Sequence, residues 1–476
     1  MQTSFLPAIA VNRFGLGARP GELAAAGSDP RGWLIAQLKE SPPVLRESGL
    51  RSSESIIAET LGILREQRKA KTDGAAGDPE RAVNVQALLK LPQLYRPAYI
   101  EDATARFRHA VTTERPFIER LTHFWTNHFA VSIDKIAVLG IAGAYEREAI
   151  RPNVLGSFTD MLLAVERHPA MLLYLDNHLS IGPNSRAAKA ASRRKNPRQI
   201  GINENLAREI LELHTLGVNG GYTQQDVTTF AEVLTGWSVG GNAGRGAPFA
   251  RLNEGEPGKF TFRAVLHEPG AKTVLGKKYA EGDESQGVAV LRDLAAKPAT
   301  ARFIATKLAR HFIADDPPES AVERISKAFL RSEGDLPTVY RALVEAKESW
   351  QQPLAKYKTP ADYVISTYRA LQLPVDANRR ALAGFELLGQ RTFSPGSPAG
   401  WPDRSADWDG ASALLKRIEW ADAVGQRVGS RYDPAKLASD VLGGTLGDGT
   451  RTAIARAASA SQALTLMLTA PEFMRR

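Results

Sequence analysis

The sequence predicts a mainly α protein, a large multi-helix domain with a short β-hairpin and two long loops. Three observations carry that expectation. Apolar residues recur at spacings of three and four through most of the chain, the period of a helix that buries one stripe. Ser, Thr, Asp and Pro stand repeatedly just ahead of these runs, where a helix start needs a side-chain acceptor or a residue with no N–H to leave unpaired. Alternating β-favouring residues are confined to one stretch.

In chain order, Asp29-Pro30 supplies a cap and a first-turn proline for a helix through Leu38. Ser52 or Ser53 opens a second, which "DGAAGD" (Asp73–Asp78) breaks. Helical patterns follow over Pro79–Leu91, Tyr99–Thr112, Arg115–Ala130 and Val154–Arg167. Asn203–Gly217 reads as a charged helix stopped by glycine, and Thr223 with Asp226 as a capping-box start for the helix ending near Trp237. Later patterns cover Ser285–Leu294, Ala299–Ile313, Ser320–Arg331, Leu336–Trp350, Thr359–Leu371, Val375–Leu388, Asp409–Gln426 and Thr452–Leu468. "KFTFRAVLHEPGAKTVLGKKY" (Lys259–Tyr279) places two β runs around a Glu-Pro-Gly turn. The glycine-rich Gly240–Gly258 and the Pro/Gly/Trp-rich Phe393–Trp408 are the long loops, a length that usually signals function or disorder. One domain over residues 1–476 is expected, with two lobes meeting near 240–258 as the alternative.

Composition narrows the chemistry. There is no cysteine, which excludes disulfides, thiolate nucleophiles and zinc–thiolate centres. The net charge is +9, and Ser185–Arg198 holds six basic residues and no acidic one. No aromatic residue or nucleic-acid motif accompanies that run, so nucleic acid is not an expected partner. The opening residues lack a basic n-region with a long apolar core, there is no twin-arginine signal, and no apolar run reaches about 18 residues. A cytoplasmic location and no transmembrane segment are therefore expected. A Walker loop, a dinucleotide glycine fingerprint, a serine elbow and a His-Glu-x-x-His pair are all missing, which disfavours nucleotide-dependent and zincin-type enzymes.

The stretch Asn203–Gly217 is the most informative. At about 100° per residue, Leu206, Ala207, Ile210, Leu213 and His214 share one side, while Glu204, Arg208 and Glu212 stack along the other beside Asn205 and Glu209. Two readings stay open: a solvated face laced by i,i+4 ion pairs, or a polar pocket. In the second, Glu209 and Glu212 act as general acid and base, with Arg208 beside them. An oxygen-rich cluster from Asp176, Asn203 and Glu204, joined by His123, would suit a divalent cation such as Ca, Mg or Mn; helix capping by the same Asn and Asp is the alternative. Glu119, His123 and Asn127 share one helix face at i, i+4, i+8, and His128 on the opposite, apolar face reads as a core histidine bonded to a backbone carbonyl. His267, in the expected hairpin turn, and Lys277 form a candidate pair on a lid, or simply turn charge. Trp401 and Trp408 can stack on sugar rings or pin their loop to the core.

The segment "NENLAREILELHTLGVNGGYTQQDVTTFAEVLTGW" (Asn203–Trp237) resembles the signature of the bacterial "domain of unknown function 1800" family. Further blocks agree in order: "HFWTNHFAVS", "MLLYLDNHLS", "HEPGAKTVLGKKY", "FIATKLARHFI", "KYKTPADYVISTYRAL", "GQRTFSPGSPAGWPD" and "LTLMLTAPEFMRR". Two departures stand out: Pro395-Gly396-Ser397-Pro398-Ala399 replaces the family's Pro-Pro-Asn-Val, and the basic Ser185–Arg198 stretch is inserted before the signature. The resemblance implies no established reaction. It does imply a neighbour, a sulfatase-like "domain of unknown function 1501" protein with a twin-arginine signal, and hence co-export to the periplasm as an alternative to the cytoplasm. Two functions follow as expectations: an envelope or polymer-processing enzyme of hydrolase type built on the oxygen-rich or paired-carboxylate cluster, or a non-catalytic escort of the sulfatase-like partner. The enzyme expectation has the signature helix, His123, His267 and Trp401 converge on one cavity.

Overall fold

The computed structural model describes residues 5–73, 79–193, 201–241, 255–351, 354–376 and 382–476, with backbone alone over 66–73 and 79–90. The chain is 63% helical, and its β structure among the described residues is two antiparallel two-stranded sheets. Buried side chains from Ile9 to Met474 form one connected apolar cluster, so the helices share a core along the whole chain. Among the described residues no helix is long and apolar enough to cross a membrane.

Local sequence accounts for most boundaries. Asp29 accepts from Gly32 N ahead of Pro30–Gln37, and Thr223 and Asp226 form the reciprocal capping box of Gln224–Leu234. Pro79–Thr112 is one helix where two were expected, with Pro92 and Pro97 inside it. Pro97 and Gln93, whose carbonyl it frees, are both exposed, so water can satisfy the lost backbone bond. The expected Thr452–Leu468 helix is two, Asp448–Ala455 and Ala460–Leu468, because Ser459 caps the second through Gln462 N. Pro434–Leu442 was not expected although Asp433-Pro434 carries a start signal; Asp433 accepts from Ala435 N and Lys436 N.

The β segment is also rearranged. Strand β1 (Trp237–Val239) pairs with β2 (Phe260–Phe262), so the glycine-rich stretch, whose residues 242–254 lie outside the described residues, closes back on its own start. The hairpin is β3 (Lys272–Val274) with β4 (Lys277–Tyr279). It turns at Leu275 and Gly276, both at positive φ (50° and 77°), as a two-residue turn matched to strand twist requires. Glu-Pro-Gly is therefore not the turn, and His267 lies in the connection between β2 and β3.

Among the described residues three stretches wind as π-helix: Ala10–Phe14, Glu146–Ile150 and Ile210–Thr215. The wider turn shifts which residues face inward. In the signature helix Leu211 and Thr215 become buried and Leu213 only partly so, correcting the face expected from a regular 3.6-residue period.

The deepest polar structure is ionic. Arg151, fully buried, makes a two-pronged pair with Glu119 (2.8 and 2.7 Å) and bonds Glu146 through Nε and Nη2 (3.0 and 2.8 Å). Burial works against the Glu119 charge, but Arg151 outweighs it and holds the carboxyl well below the usual range. Arg151→Met would leave two buried carboxylates facing each other. Denaturant unfolding should report a loss of about 3–5 kcal/mol. A loss under about 1 kcal/mol would mean the network is not an organising element.

Candidate functional site

A partly enclosed cavity of about 110 Å³ lies where the helix Pro116–His128, the helix Pro360–Ala370, the Phe393–Trp408 loop and the last residue meet. Each wall is positioned by a specific interaction. From Pro116–His128, Arg120, His123, Thr126 and Asn127 face the cavity. Asn127 grips the loop twice, donating to Trp401 O (3.0 Å) and accepting from Trp401 N (2.7 Å). Gly400, at φ 81°, permits this approach; a Cβ there would press on the Asn127 carbonyl and lie 2.8 Å from Asn127 Oδ1. Of the family-departing segment, Pro395 is buried and lines the cavity, while Gly396–Ala399 sit largely exposed at the loop's tip, away from it.

The chain's final residues run antiparallel to Lys356–Lys358, with Lys356 and Arg476 exchanging backbone bonds. This brings Arg476 inward, where it donates to Asp362 Oδ2 (2.8 Å) and His311 O (2.8 Å). Asp362 sits in the first turn of Pro360–Ala370 behind the Thr359 cap, and its other oxygen meets Arg120 (3.1 Å).

The charge balance is the site's main property. Arg106, Arg120, Lys356, Arg391, Arg404 and Arg476 line the cavity against the carboxylates of Asp362 and Asp403. Arg106, Lys356 and Arg404 have carboxylates of their own in Glu146, Asp315 and Asp316. Arg120 and Arg476 share Asp362 alone. Just behind, buried Lys358 donates to the neutral Ser366 Oγ (3.0 Å) and lies over the Phe473 ring (4.1 Å), with the Asp362 charge acting on it from nearby. Burial alone would raise the Asp362 carboxyl, but Arg120 and Arg476 hold it well below its ordinary range. Burial lowers Lys358 to about 7 and, with Arg476 beside it, lowers Arg120 to about 9. His311 is kept neutral by burial and the same two guanidiniums, and His123, buried with Nε2 3.2 Å from Glu119 Oε1, is also lowered. The interior thus holds more cation than anion, an arrangement that a negative group in the cavity would balance. Trp401 and Trp408 (6.0 Å apart, 50°) with Phe385 and Phe393 complete the lining.

Of the residues singled out from sequence, the structure brings His123, Asn127, Trp401 and Trp408 into this cavity, and does not bring Glu204, Arg208, Glu209, Glu212, Asp176, Asn203, His267 or Lys277 there. Trp401 is partly exposed, whereas Trp408 is 9% exposed and donates to Pro402 O. Glu204 accepts from Thr228, Gln224 and Arg208, and Arg208 reaches Glu212 at 3.5 Å, so these residues form a half-buried ion-pair ladder. Glu209, beside them, is raised chiefly by burial. Asn203 does reach the Asp176 segment, but as a backbone clamp: its amide donates to Leu175 O and Asp176 O while Asp176 pairs with Lys135 (2.6 Å). Among the described residues no group of three or more His, Asp or Glu is arranged to hold a metal ion. His267 is buried against Thr235 O (2.9 Å), and Lys277 pairs with Asp293 at the surface. His128 bonds His214 O (3.1 Å), the core histidine the apolar stripe suggested.

Sequence reading missed Arg120, Lys356, Asp362 and Arg476. Arg120 had a legible signal, a charged residue within the apolar stripe of Phe117, Leu121 and Phe124. Asp362 was masked because Thr359-x-x-Asp362 reads as an ordinary cap.

The chain matches the family described as "Protein of unknown function (DUF1800)" over residues 9–475 and belongs to it. Neither the curated proteins nor the solved structures contain a match to the chain.

Two expectations follow from this geometry. An added methyl at Gly400 forces the loop off Asn127, so Gly400→Ala should cost about 1–3 kcal/mol and speed protease cleavage near Gly396–Ala399; unchanged cleavage would argue against the clamp. For Lys358, lowered from 10.5 to about 7, the unfolded chain holds between those values a proton that the folded chain has released. Its penalty is complete below pH 7 and is relieved as pH rises towards 10.5, so stability gains with pH across this window. Lys358→Met should flatten the rise in melting temperature between pH 7 and 10; an unaltered slope would assign the rise to other groups.

Proposed function

We propose that this member of the DUF1800 family binds an anionic, ring-bearing ligand in the Arg120–Arg476 cavity, as a polymer-processing or polymer-binding protein of the cell envelope. One observation carries the reading: two buried guanidiniums share the single carboxylate of Asp362 at the wall of a cavity lined by six cationic side chains. A carboxylate, sulfate or phosphate entering there would accept charge-assisted bonds from donors already held in place, so little ordering cost accompanies binding. The tryptophans support a flat or ring-shaped body for the rest of the ligand. In the enzymatic form of this reading His123 takes a proton from the bound molecule, because its imidazole is neutral and Glu119 lies within reach of Nε2.

An escort role draws on a separate observation. The helix Ala411–Val428 exposes Leu414, Leu415 and Ile418 on one side, and contiguous exposed apolar residues suit a protein partner such as the sulfatase-like one.

Calorimetric titration of the full chain with glucuronate, inorganic sulfate and inorganic phosphate, against glucose, tests the cavity reading. At least one anion should bind while glucose does not, and Arg476→Gln should weaken that anion about tenfold or more. Equal binding of glucose, or no binding of any anion, would remove the anion site and leave the escort role leading.

A further inference from the structure

The anion cavity does not end at Trp401. A second recess, of about 570 Å³, is lined by Arg96, Tyr99, Leu382, Arg391 and Trp401, so Arg391 and Trp401 belong to the walls of both spaces. The two differ in character. The inner cavity is small, with its cations buried and fixed; Arg120 and Arg476 are each about 1% exposed. The outer recess is several times larger and opens along the helix Pro79–Thr112, with exposed Arg96. There Arg391 lies over the Tyr99 ring (5.3 Å) and only 3.7 Å from Glu386, a loose pair at a half-exposed position. The inner space seats the charged group. The outer space is of the size that takes a further ring or two.

We propose that the two spaces form one extended site for an acidic oligosaccharide. The terminal acidic sugar seats its charged group against Arg120, Lys356 and Arg476, the chain passes Trp401, and the next sugars lie in the outer recess. Arg96 and Arg391, against the one carboxylate of Glu386, there meet the repeated negative charge, and the partly exposed Trp401 offers a flat face at the junction. This proposal rests on the anion reading and adds the ligand's class and direction. A saccharide is favoured over an acidic peptide because the ring of Trp401 stands in the wall of both spaces, while the recess carries no exposed strand edge along which a peptide backbone could bond among the described residues.

The test measures length dependence. Galacturonic acid, its linear tetramer, a neutral glucan tetramer and a tetraglutamate peptide are titrated into the full-length chain. The acid tetramer should bind about tenfold more tightly than the monomer, and the neutral tetramer and the peptide more weakly than the acid tetramer. Arg96→Ala, on an exposed position whose folding is checked by its melting temperature, should lower the tetramer-to-monomer affinity ratio several-fold. Monomer and tetramer binding equally would overturn the extended site while leaving the anion reading intact. Failure of both to bind would bring down the anion reading itself, and a preference for tetraglutamate would replace the saccharide with an acidic peptide.

Discussion

Two consecutive residues, Glu119 and Arg120, carry opposite charges into the interior from a single turn of helix, and the surrounding structure is arranged around satisfying both. Neither charge can be stripped of water without a partner, since an isolated buried ion costs several kcal/mol even after relaxation. Glu119 finds Arg151, and Arg120 finds Asp362, on elements far apart in sequence. Because neighbouring residues on a helix point about 100° apart, these pairings fix the rotation of Pro116–His128 from two directions. With that rotation set, His123 and Asn127 must fall along the row above Glu119. One then faces the cavity, and the other meets the loop that closes it.

The π-helical stretches serve the same end. Glu146 opens one of them, Arg13 lies within another, and His214, which bonds Glu166 at 2.7 Å, within the third. Each is a polar group inside the core that a regular helix would have to reach by twisting its neighbours. One extra residue per turn lets Leu211 and Thr215 face inward together with His214 while the helix keeps its path. The arrangement gives the core directional contacts as well as apolar filling, and directional contacts specify one packing where apolar filling tolerates many.

This explains which parts were legible in the sequence. Helix placement was, because periodicity and caps such as Asp29, Thr223 and Thr359 are local signals. That Pro79–Thr112 continues through Pro92 and Pro97 is not a local signal, and the positive φ of Leu275, where the hairpin turns in place of Glu-Pro-Gly, leaves no trace in composition. The loop tryptophans and His123, which aromatic content and the i, i+4 row single out, line the cavity. Of the cavity's charges only Arg120 leaves a local trace, as a charged residue within an apolar stripe. Arg120, Asp362 and Arg476 lie hundreds of residues apart, and only the backbone pairing of the chain's end with Lys356–Lys358 brings the last of them in. The charged face of the signature helix drew attention for its density of carboxylates, yet its Arg208 ladder neutralises them locally.

That contrast separates charge that is used up from charge that is held available. Along the signature helix each acid has a neighbouring base or hydroxyl, and the ladder is partly wetted, so a ligand there would have to compete with bonds already made at modest strength. Around Asp362 the balance differs: Arg120 and Arg476 share that one carboxylate, at the wall of a cavity where a further acceptor can sit. A fold that keeps a surplus of guanidinium at a cavity wall gives up some stability of the empty protein, and that unfavourable energy returns as affinity when a negative group arrives. Burial lowers both Lys358 and Arg120, and Arg476 adds to the effect at Arg120. An anion bound at Arg476 must therefore raise both toward their ordinary values, so ligand binding and proton uptake are coupled through Asp362, and the affinity must fall as pH rises above the Lys358 value of about 7.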